Sequence, residues 1–219
     1  MIAAHLGDFV EDFGVAPVRQ GFTQGGVFDR RVYNMDVYPQ YGQTMPRDDS
    51  DPNPKTPYQY PNPPDALPEI VVPHAIPTDE RLWVPQAENV WFRPLCLNAS
   101  QGYWMNLLRV RKSGVLSRHR HPQAVHGFVL KGRWRYLEHD WEATEGSYVY
   151  EPPGETHTLY VPEDVEEMIT YFQVNGVMYY TDPWGKGMGY EDVFTKIDMC
   201  RKHFESVGLG ADFTKQFIR

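Results

Sequence analysis

Cysteine is scarce in this 219-residue chain, with only Cys96 and Cys200. That excludes a disulfide framework of the kind that staples small secreted domains. Both residues are expected to be free thiols in a reducing compartment. Basic charge is also in deficit: 21 Lys and Arg stand against 29 Asp and Glu, for a net charge of −8. Without a basic surplus the chain lacks the electrostatic footprint of a phosphate-backbone binder, and nucleic acid is not an expected partner. Long apolar runs are missing too. Mean hydropathy is −0.55, and no stretch approaches the ~20 apolar residues that span a bilayer, so no membrane partner is expected. The N-terminal MIAAHLGDFVED has neither a basic leader nor a sustained apolar segment. No secretory signal is expected, and the cytoplasm is the expected location. The chain contains no internal repeat.

Proline, by contrast, is abundant and unevenly placed. Thirteen of the 19 prolines fall between Pro39 and Pro94, and the stretch from Pro46 reads PRDDSDPNPKTPYQYPNPP. Proline fixes φ and removes a backbone donor, so neither a helix nor a central strand runs through such a density. Two readings fit: a disordered acidic linker, or an ordered arm that wraps the main domain or a neighbouring subunit. Tyr33, Tyr38, Tyr41, Tyr58 and Tyr60 favour the arm, because disordered segments are poor in aromatics. From about Leu82 the texture changes to short β-rich runs such as NVWFRPL, YWMNLLRV, HGFVLKG and SYVYEPP. Gly and Pro break them at intervals of roughly 8–12 residues, the pattern of an all-β sandwich or barrel. Over 191–204, Val193, Phe194, Ile197, Cys200 and Phe204 form the apolar stripe of a short helix, with Lys196, Asp198, Arg201 and Lys202 on its other side. The chain therefore divides into a Pro-rich N-terminal extension (1–81), a β-barrel (82–182) and a C-terminal helical segment (183–219).

Histidine carries the chemistry. Five of eight lie between residues 119 and 157. In a strand, residues i and i+2 project from one face, so His119 and His121 can both reach one metal ion. Pro122 fits the strand end. The run Gly146-SYVYE-Pro152-Pro153-Gly154-ET-His157 ends a strand in a tight turn, for which Pro and Gly supply the backbone angles. The turn brings a third imidazole, His157, back toward the sheet. Imidazole suits Fe, Zn, Cu and Ni, so ligand type alone does not choose the metal. His139 reads as a turn residue beside Asp140. His5, His74 and His203 are expected to have no metal role.

These two segments resemble the paired motifs of the cupin superfamily. The first motif reads Gly114-VLSR-His119-R-His121-PQAV-His126-GFVLK-Gly132. It departs from the family pattern by one residue in two spacings and by His126 where a carboxylate usually stands. In the second motif Gly146, Pro152, Gly154 and His157 match in register, with Val161 in place of the terminal asparagine. The resemblance covers roughly residues 82–182. Within the superfamily, the text around these motifs resembles the 2,4'-dihydroxyacetophenone dioxygenases, with the acetylacetone-cleaving dioxygenases more distant. It implies a single cupin jelly-roll β-barrel of two antiparallel sheets. It also implies Fe(II) held by His119, His121 and His157, and a homodimer or homotetramer. The implied partners are an aromatic ketone and O2, and the implied reaction cleaves a C–C bond next to a ketone to give two carboxylic acids. Two other readings stay open: another metal-dependent cupin enzyme (a β-diketone dioxygenase or an isomerase), and a non-catalytic metal-binding regulatory cupin. Zinc-binding anti-sigma proteins carry a related cupin behind a Cys/His zinc module, but residues 1–81 contain no cysteine.

Such a reaction needs a base near the metal. His126 is the first candidate, with a fourth metal ligand and a structural histidine as its other readings. Glu138 and Glu151 follow, Glu151 also as a partner orienting a ligand imidazole. Strand alternation over 133–138 puts Trp134, Tyr136 and Glu138 on one face, suited to an aromatic-lined pocket. Trp104 is the further expected substrate contact. A substrate phenol would need a polar partner elsewhere in the pocket, and the sequence does not identify one.

Overall fold

The computed structural model describes residues 55–219. Pro39, Pro46, Pro52 and Pro54 of the proline cluster, and Tyr33, Tyr38 and Tyr41, lie outside the described residues. The chain divides into two units, 1–62 and 63–219. In the first, described residues 55–62 form no helix or strand, and the Tyr58 and Tyr60 rings lie 5.6 Å apart.

The second unit holds two six-stranded antiparallel sheets built from β1 (Val84–Ala87), β2 (Val90–Asn98), β3 (Tyr103–Val110), β4 (Gly114–Arg120), β5 (Val125–Lys131), β6 (Arg133–Tyr136), β7 (Ala143–Thr144), β8 (Tyr148–Glu151), β9 (Thr156–Val161), β10 (Met168–Asn175), β11 (Val177–Thr181) and β12 (Gly187–Asp192). One sheet runs β1-β2-β3-β10-β5-β8, the other β12-β11-β4-β9-β6-β7. Period-two alternation turns apolar side chains inward. On β5, Val125, Gly127 and Val129 are buried while Phe128 is exposed, and the same parity puts His126 on the outer side. The core joins Phe92, Leu97, Trp104, Trp134, Tyr136, Leu159 and Met168 between the sheets. This is the two-sheet jelly-roll expected of the resemblance.

Gly132 turns β5 into β6 at φ +70°, where a Cβ would stand 2.5 Å from the Glu167 carbonyl oxygen, so only glycine fits. The barrel strands extend past residue 182, the end read from the sequence: β12 pairs with β11 from Val177↔Asp192 to Thr181↔Gly187. The segment GMGYED carries almost no apolar alternation, which is why it does not read as a strand.

The helix α1 (Val193–Ser206) starts at Asp192, whose carboxylate accepts from Thr195 N while Thr195 Oγ1 accepts from Asp192 N, a reciprocal cap. Val193, Ile197, Cys200 and Phe204 pack into the core, and both cysteines are free thiols. Two helix residues differ from the sequence reading. Phe194, one position off the true stripe, is exposed, and Lys196 is buried on the inward face. Val193, Lys196 and Cys200 follow an i, i+3, i+7 row, so a lysine with buried polar partners can occupy the apolar side. Among the described residues no helix is long and apolar enough to cross a membrane.

Candidate metal centre and cavity

His119 near the end of β4 stands directly opposite His157 on β9, and their ring centroids are 4.8 Å apart. His121 follows two residues later, 4.8 Å from His119 and 5.7 Å from His157. Between the two sheets, Pro152-Pro153-Gly154 links β8 to β9. Gly154, at φ +103°, donates its N–H to the His121 carbonyl at 2.8 Å. One turn therefore ties the His-x-His segment to both of its own flanks, Glu151 before it and His157 after it.

Glu151 completes the group. Its Oε2 is 3.6 Å from His121 Nε2 and 3.5 Å from His157 Nε2. The ligand atoms of His119, His121, Glu151 and His157 all lie within 4.8 Å of one another, and all four residues are buried. Tyr136 donates to Glu151 Oε1 at 2.7 Å and stacks on His157 with ring centroids 3.8 Å apart. Ser117 Oγ sits 2.9 Å from His119 Nδ1, a partner that leaves Nε2 free for a metal.

The electrostatics follow from burial. Dehydration pushes His119 well below its ordinary value, and the neighbouring imidazoles His121 and His157 add to the effect. It brings His121 to about 3 and His157 to about 4. The same burial raises Glu151 to about 7, although the Tyr136 hydrogen bond opposes it. Neutral imidazoles are the metal-binding form. Glu151 Oε2 and His157 Nε2 are buried with no hydrogen-bond partner. Buried polar atoms are normally paired, so a cation among these donors is the missing partner, and the residues fit one. The set of three imidazoles and a carboxylate suits Fe, Mn or Zn.

The group opens onto a cavity of about 280 Å³. Leu108, Leu116, Val125, Leu159, Phe172 and Val174 supply apolar wall. Trp104 and Tyr136, expected as substrate contacts, both line it. Trp134 stands behind the lining, fully buried, with Nε1 donating to Thr170 Oγ1 at 3.1 Å. His126 is on the outer face, its Nδ1 2.8 Å from the hydroxyl of exposed Tyr148. β6 ends at Tyr136, so alternation stops before Glu138. That carboxylate instead accepts from Thr158 N and Thr158 Oγ1, both at 2.7 Å. Of the three acid–base candidates, Glu151 is the one that lines the cavity.

Other polar wall residues were not singled out from the sequence. Lys196 Nζ is 2.7 Å from Glu191 Oε2, 2.9 Å from Gln86 Oε1 and 4.4 Å from the Phe92 ring centre. Gln86 Nε2 also reaches the Tyr180 hydroxyl at 3.3 Å, and the Tyr180 ring stands edge-on to His119 at 6.4 Å. Asn106 borders the cavity from β3. No motif marks these positions. Only the helical row of Lys196 with Val193 and Cys200 offered a signal.

The two-sheet barrel and its buried histidine–carboxylate group have the architecture of a cupin domain with a candidate metal site. Comparison with known proteins agrees: residues 72–178 match the family described as the ChrR cupin-like domain. An RmlC-like cupin protein from Ralstonia eutropha is 28% identical, over 58% of this chain and 83% of that one, with a TM-score of 0.55. An acetylacetone dioxygenase from Acinetobacter johnsonii shares the fold at 18% identity, over 65% of this chain and 97% of that one, with a TM-score of 0.53. No curated protein matches the chain. The chain thus carries a cupin domain over its central region.

Proposed function

We propose that this protein is a non-haem Fe(II) dioxygenase that cleaves the C–C bond next to the ketone of a small aryl hydroxyketone, such as 2,4'-dihydroxyacetophenone. The observation that carries the reading is a small, apolar-walled cavity opening directly onto the His119–His121–Glu151–His157 group. The fold shared with an acetylacetone dioxygenase supports it. When bound, Fe(II) supplies Lewis acidity toward the substrate oxygens and electron transfer toward O2.

The chain's own residues do the rest. Glu151 Oε2, which has no protein partner, takes the proton of the substrate's α-hydroxyl, while Tyr136 holds Oε1 and fixes the carboxylate's direction. Leu108, Leu116, Leu159 and Phe172 hold the ring and exclude water. The bond between the carbonyl and carbinol carbons breaks. One atom of O2 enters each product, and the aryl hydroxyketone plus O2 becomes an aryl carboxylic acid plus formic acid.

The test is anaerobic reconstitution with Fe(II), followed by oxygen uptake with 2,4'-dihydroxyacetophenone and with acetylacetone. The expected result is uptake matched one-to-one by 4-hydroxybenzoate and formate, with label from 18O2 in both acids. Iron-loaded protein that consumes no oxygen with either compound overturns the reading. One observation favours a second reading: three imidazoles and a carboxylate can close a four-coordinate zinc site of structural type. Tightly held zinc without turnover would select that non-catalytic metal-binding cupin.

A further inference from the structure

The cavity has a second polar region, made of Gln86, Tyr180, Glu191 and Lys196. Its hydrogen-bonding capacity is already used. Lys196 Nζ serves Glu191, Gln86 and the Phe92 ring, and the Gln86 amide serves Lys196, Tyr180 and Glu191. Its charge is used as well, since the one lysine is matched by one carboxylate.

Asn106 is different. It is only 4% exposed, it borders the cavity, and its carboxamide makes no hydrogen bond among the described residues. Its polar atoms are not among the fully buried ones left without a partner, so they face the cavity space itself, and an unpartnered amide on a cavity wall marks where a ligand's polar group belongs. Its position along the sheet separates it from Glu151. β3 lies three strands from β8, the strand that carries Glu151, and at ~4.8 Å per strand that is about 14 Å along the sheet.

We propose that Asn106 is a specificity-determining residue that binds a neutral hydroxyl on the part of the substrate remote from Glu151. This rests on the dioxygenase reading for the identity of the reacting end. The amide offers one acceptor, Oδ1, and donors on Nδ2, which match a hydroxyl that both donates and accepts. A carboxylate is excluded there, because no uncommitted cation faces it and the lone lysine is neutralised by Glu191. The ligand class is a single-ring ketone with a neutral ring hydroxyl.

Binding of unreactive ketones to the metal-loaded protein tests this without turnover. The probes are acetophenone, 4'-hydroxyacetophenone and 4-acetylbenzoate, read by quenching of tryptophan fluorescence. Wild type is expected to bind the hydroxylated ring about tenfold more tightly than acetophenone, one hydrogen bond's worth, and to bind the carboxylate more weakly than either. Asn106→Leu, of the same branched shape, should bind acetophenone unchanged and lose the preference. Asn106→Ala should lose the preference too.

A preference retained in either variant, no preference in wild type, or no binding of any probe overturns the proposal. Absence of turnover with an intact Asn106-dependent preference removes the dioxygenase reading alone.

Discussion

Acidification of metal-free protein from pH 7 to pH 5 probes the buried histidine–carboxylate group directly. Burial holds His121 at about 3 and His157 at about 4, against an ordinary 6.5, and His119 well below it. All three stay neutral in the fold across this interval, while the unfolded chain takes up their protons as pH falls through 6.5. Their stabilising contribution is complete above that value and is lost below it, by about 2 kcal/mol each for His121 and His157 at pH 5, with His119 acting in the same direction. Glu151 acts in the opposite sense. Raised to about 7 from 4.5, it keeps a proton in the fold that the unfolded chain releases, so acidification over the same interval restores about 2 kcal/mol. The imidazoles outweigh the carboxyl: His121 and His157 alone leave a net loss of about 2 kcal/mol, to which His119 adds, against the roughly 5–15 kcal/mol that holds a domain together. Metal binding requires Glu151 to give up its proton, so stabilisation by metal should be about 2 kcal/mol smaller at pH 5 than at pH 7. Urea titrations of chelator-treated and metal-loaded protein, followed by tryptophan fluorescence at pH 5, 6 and 7, measure both quantities. Metal-free stability that is flat or rising on acidification would refute the reasoning, because the imidazoles would then be protonated within the fold.

Three substitutions extend the test. Tyr136→Phe removes the 2.7 Å hydrogen bond to Glu151 Oε1; it should weaken metal binding by about 10–100-fold with the barrel intact, as read by metal competition and circular dichroism. Glu138→Ala strands the Thr158 N–H and hydroxyl; it should cost about 1–3 kcal/mol in urea titration and leave the metal content of the purified protein unchanged. His126→Ala breaks only an outer-face contact with Tyr148; metal content and oxygen-uptake rate should both match wild type, and a rate loss with full metal would restore His126 as a base.

The barrel was legible because its strands alternate apolar and polar residues between glycine and proline breaks, and because each motif glycine occupies a turn that needs it. Gly132, Gly146 and Gly154 all stand at positive φ. His119, His121 and His157 were legible from strand parity and a turn, both local rules. Legibility failed where placement depends on contacts between distant segments. Alternation along β6 is a local rule, but where β6 stops is set by pairing with β9, and Glu138 falls just past that end. Lys196 looked like a solvent residue because lysine is rarely buried. What buries it is a carboxylate on β12 and an amide on β1, Glu191 and Gln86, the latter 110 positions away. Asn106 carries no local signal at all: inward parity on β3 is shared with Trp104 and Leu108, and its lack of a partner is visible only once the neighbours are in place.

The position of Glu151 also changes how the site's charge is reasoned about. With His126 where a cupin carboxylate usually stands, the sequence reads as three neutral imidazoles around an undiminished dication. In the structure the carboxylate is present but enters from another strand. Glu151 closes β8, and the same Pro152-Pro153-Gly154 turn that delivers His157 delivers Glu151, held to His121 through the Gly154 N–H. The turn therefore sets both the third imidazole and the charge of the site. A metal dication facing an ionised Glu151 carries a net charge near +1. Under the proposed reaction, a substrate deprotonated at its α-hydroxyl would compete with that carboxylate for the metal, and protonation of Glu151 by the same proton would relieve the competition. Oε2 would receive that proton, with Oε1 kept in place by Tyr136. In the metal-free group burial holds Glu151 at about 7 and the imidazoles neutral, so a bound cation would have only the carboxyl proton to displace.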